Sequence, residues 1–189
     1  MAKEKERCAW GQSPEIYQKY HDEEWGVPLH DDRKLFEMLI LEGVQAGLSW
    51  LTVLNKRENY RKAFDNFDPK KIAKYSEAKK AKLKENAGII RNKLKINAAV
   101  VNANCYLEVV KEFGSFDKYI WQFVGGQPTI NHFKTMEEVP VSTPQSDAMA
   151  KDLKKRGFKF IGTTICYAYM QATGMVDDHI LSCWKRKGK

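Results

Sequence analysis

The chain has 189 residues, 43% of them hydrophobic and 12% aromatic, enough for one ordinary core, and is read as a single domain over residues 1–189 with an ordered part of about 7–184. Residues 1–7 are charged where a secretory leader would be basic and then apolar, and the longest weakly charged run, 38–54, carries Glu42, Gln45 and two glycines; neither export nor a membrane span is expected. The net charge of +8 is concentrated in residues 70–95, where nine Lys and Arg91 face only Glu77 and Glu85, an excess that suits either a polyanion such as DNA or a solvated lysine-rich face.

Helical signals dominate, and strand-like alternation is nearly absent. Ser13-Pro14 opens a short segment to His21, and Asp31-Asp32 caps a longer one to about Gly47. Residues 50–64 continue as a helix, Ser76 caps 77–86, and 93–113 is a long amphipathic run ended by Gly114. Ser115 starts another helix to Val124. Residues 125–144, with Pro128, Pro140 and Pro144, read as loop, and 146–156 and 163–173 read as helices closed by Gly157 and Gly174. The pattern is all-α. Cys105 and Cys166 fit reduced, buried thiols of a cytosolic protein, and Lys185, Arg186, Lys187 and Lys189 form a basic tail read as disordered.

Cys8, His21, His179 and Cys183 have the residue types and spacings of a zinc site. The spacing of His179 and Cys183 places them on one face of a helix, and residues 8–21 are long enough to fold back, so the chain ends would meet. Four protein ligands leave no open position, so such a site would be structural. The alternative is that the cysteines are small apolar core residues and the histidines surface or hydrogen-bonded ones. Asp177 and Asp178 would orient His179 or cap a helix, and capping is favoured for one of them.

Glu42 is the one charged side chain in 38–54, and its spacing from Leu35 and Leu39 puts it on an apolar helix face. A desolvated carboxylate has a raised pKa and is costly without partners, so Glu42 is held by a structural hydrogen bond or awaits a ligand. The following Gln45-Ala-Gly-Leu-Ser-Trp50 turn offers small residues for close approach. Trp10, Tyr17, Tyr20, Trp25, Phe36 and Trp50 cluster in the first fifty positions. Aromatics are usually core, but rings around one buried carboxylate also suit a flat, electron-poor heterocycle such as a nucleobase. Further on, residues 83–91 form a glycine turn between two helices, which could offer backbone N–H groups to a phosphate beside Arg91 and Lys93; an ordinary connection is the other reading.

Four strings carry a resemblance: Tyr20-His-Asp-Glu-Glu-Trp-Gly-Val-Pro28, Leu41-Glu-Gly-Val-Gln-Ala-Gly-Leu-Ser-Trp50, Lys56-Arg-Glu-Asn-Tyr-Arg61 and Lys155-Arg-Gly-Phe-Lys-Phe-Ile-Gly-Thr-Thr-Ile-Cys166. Together with the split Cys/His quartet they resemble, in register from about Arg7 to Cys183, the constitutive bacterial 3-methyladenine DNA glycosylases of type I. The resemblance implies an all-helical helix-hairpin-helix glycosylase fold and one zinc ion on Cys8, His21, His179 and Cys183. It implies that Glu42 and Tyr20 hydrogen-bond the Hoogsteen edge of a flipped base, that Trp50 stacks on it, and that Trp10, Tyr17 and Trp25 complete the wall. Gln45, Gly47 and Leu48 match the segment entering the duplex. Gly88, Ile89, Ile90 and Arg91, with Lys93, match the hairpin that grips the backbone, although Ile90 stands where such hairpins usually have a second glycine. Residues 155–164 match a further DNA-facing or structural stretch.

The catalytic Asp of most helix-hairpin-helix glycosylases has no counterpart in 93–113. The implied reaction is hydrolytic release of 3-methyladenine from alkylated double-stranded DNA, leaving an abasic site without strand cleavage, by a cytoplasmic, nucleoid-associated bacterial monomer. A non-catalytic, zinc-stabilised DNA-binding module is the rival reading. It needs the basic segment and hairpin but no buried carboxylate.

Overall fold

Ten consecutive buried residues, Leu35 to Val44, run through one helix and organise the rest of the molecule. A helix apolar on all sides belongs inside, with other helices packed around it. The structure, a computed structural model, describes residues 5–186; Lys187 and Lys189 of the basic tail lie outside them.

Nine α-helices follow in chain order among the described residues: α1 Glu15–Glu23, α2 Asp32–Gln45, α3 Trp50–Ala63, α4 Pro69–Ile72, α5 Glu77–Glu85, α6 Lys93–Phe113, α7 Phe116–Trp121, α8 Pro144–Lys155 and α9 Thr163–Ala172. Most begin where a short polar side chain accepts a hydrogen bond from an otherwise unpaired N–H: Asp31 for α2, Ser49 for α3, Ser76 for α5, Asn92 for α6 and Ser115 for α7. α2 packs against α3, α6, α7 and α9, and α8 packs along α9. The Asp32 carboxylate accepts from the N–H groups of Phe116 (3.0 Å) and Asp117 (2.8 Å), so one side chain at the start of α2 also caps α7. No described helix is long and apolar enough to cross a membrane.

Several expectations change. Asp68 caps α4, a one-turn helix too short to show a period. The segment after Ser115 stops being α-helical at Trp121 and tightens into a 3-10 turn, Gln122–Val124. α8 starts two residues early: Thr143 is its cap and Ser146 the reciprocal partner inside the helix. Thr129–Ile130 (β1) and Val176–Asp177 (β2) form a two-residue parallel pair, too brief for alternation to reveal. Cys166 is buried, whereas Cys105 is only half-buried.

The largest correction concerns the chain end. His179 and Cys183 do not share a helix face, because residues 178–183 are irregular. The Leu181 N–H donates to Phe133 O at 2.9 Å instead of to a carbonyl four residues back. Asp177 and Asp178 therefore cap no helix: Asp177 Oδ1 accepts from the His179 N–H at 3.2 Å, and Asp178 takes donors from Asn131, Tyr167 and Gln171.

Gly174 closes α9 with φ +67°, and an added Cβ would sit 2.2 Å from the Val27 carbonyl carbon. Left-handed strain and a backbone clash act together there. Gly174→Ala is expected to destabilise by roughly 2–4 kcal/mol, read from the urea midpoint. A change near zero would mean that the 27–28 strand of backbone moves freely.

Candidate functional site

Two carboxylates lie in the buried run of α2, and they are treated differently. Glu37 accepts from Arg57 Nε (2.6 Å) and Arg61 Nη2 (2.8 Å) on α3, and Arg57 also holds Glu24 at 2.7 Å. Glu42, 2% exposed, has no such guanidinium; its Oε2 is buried with no hydrogen-bond partner among the described residues. Burial alone pushes its carboxyl up to about 8. Between the two alternatives for Glu42, the structural hydrogen bond is therefore missing on one oxygen. Near neutral pH the carboxyl is poised between acid and carboxylate, as a ligand-responsive group requires.

The Glu42 side chain lines a cavity of about 280 Å³, together with Trp10, Tyr17, Tyr20, Trp25, Gln45, Trp50, Met136, Ala168 and Gln171. The sequence singles out seven of these. Trp10 meets Tyr17 edge-on at 5.7 Å and Trp25 at 5.0 Å, and Tyr20 lies 5.5 Å from the ring of Trp50. Trp50 Nε1 is also buried without a partner among the described residues. Burial, and then the nearby Glu42 and Glu24 charges, push the Tyr20 phenol well above its ordinary value, so it stays a donor at any physiological pH. The result is a slot with aromatic faces, the phenol hydroxyls of Tyr17 and Tyr20, and one uncommitted carboxyl. It suits a flat heterocycle that can present an N–H and positive charge. Met136, Ala168 and Gln171 were not legible in advance. Ala168 and Gln171 share a face of α9 at i, i+3, but nothing local tells which face meets the cavity.

Beside the mouth, α2 ends at Gln45 and the chain turns through Gly47, at φ +77° in open space, to the exposed Leu48. The turn is held from behind. Lys95, in the first turn of α6, donates to Val44 O and Ala46 O, both at 2.7 Å, so this member of the basic segment is spent inside the protein. A cation at a helix C-terminus also complements its dipole, and Lys95→Met is expected to cost about 1–3 kcal/mol through two unpaired carbonyls, measured by urea unfolding. Unchanged stability would show that water replaces the ammonium.

The hairpin lies between α5 and α6. Ile89 is core and Ile90 half-buried, while Arg91 and Lys93 are exposed. Three of its N–H groups are engaged internally: Gly88 with Asn86 Oδ1 (2.8 Å), Ile89 with Asn86 O (3.3 Å) and Ile90 with the Tyr60 hydroxyl (3.1 Å). What the turn offers outward is its cations. The 155–164 stretch is mainly structural: Phe158 and Ile161 are buried, and Asn102 brackets the Lys159 main chain at 2.8 and 3.1 Å.

Behind the aromatic wall, ligand atoms of Cys8, His21 and Cys183 lie within 4.8 Å of one another, all buried. His21 Nε2 faces the Cys183 sulfur at 3.4 Å. His179 stands just outside this trio. Its ring is edge-on to His21 with centroids 4.8 Å apart, and its Nε2 is buried without a partner among the described residues. Both imidazoles are anchored at the other nitrogen, His21 Nδ1 to Asp22 (2.9 Å) and His179 Nδ1 to Asp177 (2.6 Å). Carboxylates only accept, so both Nδ1 atoms carry the proton and both Nε2 atoms are lone-pair donors. Asp22, though partly desolvated, is held well below the usual carboxylate range by Arg7 and His21. The neighbouring Cys183 sulfur, and then burial, push the Cys8 thiol up, while Cys8 and His21 hold the Cys183 thiol below its ordinary value. Two sulfurs and two oriented imidazole nitrogens suit a tetrahedral metal ion with no free position. Gly26 makes room for this, since a Cβ there would lie 2.9 Å from the His179 ring. Trp10 and Trp25 touch both the cluster and the cavity, at 5.3 Å from His21 and 4.7 Å from His179.

Comparison with known proteins agrees with this geometry. The methyladenine glycosylase family model matches residues 10–186. DNA-3-methyladenine glycosylase 1 of Escherichia coli K12 is 53% identical over 178 residues, 94% of this chain and 95% of that protein. A crystal structure of a 3-methyladenine DNA glycosylase I superposes with TM-score 0.94 at 54% identity, covering 96% of this chain and 100% of that one. A Staphylococcus aureus 3-methyladenine DNA glycosylase I, solved to explain 3-methyladenine recognition, superposes with TM-score 0.93 at 35% identity, covering 97% of each chain. The chain belongs to the methyladenine glycosylase family.

Proposed function

We infer that this protein is a DNA-3-methyladenine glycosylase of base excision repair, which hydrolyses the N-glycosidic bond of 3-methyladenine in alkylated DNA. The observation that carries this reading is Glu42: a buried, uncommitted carboxyl in an aromatic slot, which a module that only binds DNA does not need. Methylation at N3 makes the base cationic. When the C1′–N9 bond breaks, its electrons neutralise that charge, so the base is already a good leaving group; water oxygen bonds to C1′ and its proton passes to solvent. The Glu42 carboxylate and the electron-rich rings favour the cation over neutral adenine, and a damaged base is flipped at less cost than a paired one. Tyr20 and Glu42 address the Hoogsteen edge, Trp50 stacks, and Trp10, Tyr17 and Trp25 complete the wall. No lysine is among the residues lining the cavity, which supports release to an abasic site without strand cleavage by an amine nucleophile.

Several finer features belong to the same reading. α5, the Gly88 turn and α6 act as a helix-hairpin-helix that holds the DNA backbone through Arg91 and Lys93, while Gln45, Gly47 and Leu48 enter the duplex beside the flipped base. Zinc on Cys8, His21, His179 and Cys183 holds the N-terminal wall of the slot against the chain end, supported by the sulfur and imidazole donors and the orphaned His179 Nε2. The protein acts as a monomer in the bacterial cytoplasm, on the nucleoid.

Incubation with methylated duplex DNA, followed by chromatography of what is released, tests the activity. Free 3-methyladenine and alkali-labile, otherwise intact strands are expected. Tight binding with no released base would leave the zinc-stabilised binding module as the better description.

A further inference from the structure

We infer that Gln171 is a base-contacting, specificity-determining residue, whose carboxamide oxygen, oriented by Asp178, accepts a hydrogen bond from the exocyclic amine of the bound base. The inference rests on the glycosylase reading. Gln171 lines the cavity from α9, opposite in origin to Glu42 on α2. Its Nε2 donates to Asp178 Oδ2 at 2.8 Å. Asp178 is fully buried and takes two more donors, the Tyr167 hydroxyl at 2.7 Å and Asn131 Nδ2 at 2.6 Å.

A carboxylate surrounded by donors can only accept, and this determines which end of the Gln171 amide faces it. A flip would set the carbonyl oxygen against the carboxylate. The NH2 group is thereby committed, and Oε1 is the polar atom left for the half-buried side chain to turn towards the slot. The main chain is fixed as well, since Gln171 O accepts from Gly26 N at 2.9 Å, beside Trp25.

An acceptor needs a donor, and 3-methyladenine has few. With N3 methylated and N1 and N7 carrying lone pairs, the exocyclic amine is the only N–H group, in the free base as in DNA. It has two hydrogens. Glu42 takes the one on the N7 side, and Gln171 takes the one on the N1 side. A six-oxo purine presents oxygen at the same place and meets two acceptors.

The test compares 3-methyladenine with 3-methylpurine, which lacks the amine, by tryptophan quenching in wild type and Gln171→Met. The substitution is expected to weaken 3-methyladenine binding roughly three- to tenfold, the weight of one neutral hydrogen bond, and to leave 3-methylpurine binding unchanged. Equal loss for both ligands, or loss for neither, overturns the assignment. Should the variant not fold, the labelled Gln171 carboxamide of the wild type decides: its carbonyl signal is expected to shift on titration with 3-methyladenine but not with 3-methylpurine, and a signal that does not respond refutes the contact. Wild-type protein that neither binds the base nor releases it would instead remove the glycosylase reading itself.

Discussion

Glutamine in place of Glu42 is expected to slow single-turnover excision on the order of a hundred- to a thousandfold, the loss typical of removing one preorganised electrostatic group, while making the fold more stable at alkaline pH. The two effects have one cause. Burial raises the carboxyl from 4.5 to about 8, so the folded protein prefers the protonated form. The sign follows from that direction: the contribution of this group to stability is complete below about 4.5 and is lost as pH rises through about 8. At 1.36 kcal/mol per pH unit, the gap from 4.5 to about 8 amounts to on the order of 5 kcal/mol at pH 9. Glu42→Gln has no such titration, so urea midpoints of wild type and variant should diverge as pH rises from 5 to 9. Parallel profiles would mean that the carboxyl is not desolvated. A cationic base in the slot reverses the balance by favouring the carboxylate, and this differential binding is the proposed catalytic contribution. Complete loss of excision with unchanged affinity for free 3-methyladenine would instead assign Glu42 to activation of water.

Cys183→Ser is expected to abolish stoichiometric zinc binding and to lower the thermal midpoint by on the order of 10 °C, as loss of several kcal/mol does in a chain of this size. Zinc content is measured by a colorimetric chelator on protein released by denaturation. Because Trp10 and Trp25 lean on His21 and His179, slackening of the cluster should also raise the KM for methylated DNA, with a much smaller change in the chemical step under saturating enzyme. Wild-type protein that keeps its full thermal midpoint after thorough zinc removal would refute the clasp.

Much of this arrangement is visible in residue order because it is local. Asp31, Ser76 and Ser115 announce helix starts through bonds spanning three positions, and Glu42 stands out against its own apolar run. What escapes is non-local. Gln171 belongs to the slot because Asp178 and Gly26 hold it there, and neither relation leaves a periodic trace. His179 and Cys183 are four apart, the spacing of a helix, yet Phe133, some fifty positions earlier, claims the intervening backbone. Lys95 looks like its nine basic neighbours until its ammonium is found on the carbonyls of α2.

The Cys183 sulfur meets His21 across 162 positions, and the Trp184 N–H meets Glu6 O at 2.8 Å. At a synthesis rate of roughly 5–20 residues per second, the strip that bears Trp10, Tyr17, Tyr20 and Trp25 waits on the order of ten seconds on the ribosome before its counterpart exists. During that interval Tyr20 can already meet Trp50, but the side of the slot that Ala168 and Gln171 supply does not yet exist. The slot is therefore complete only once α9 and the segment bearing Cys183 and Trp184 have closed over the start of the chain.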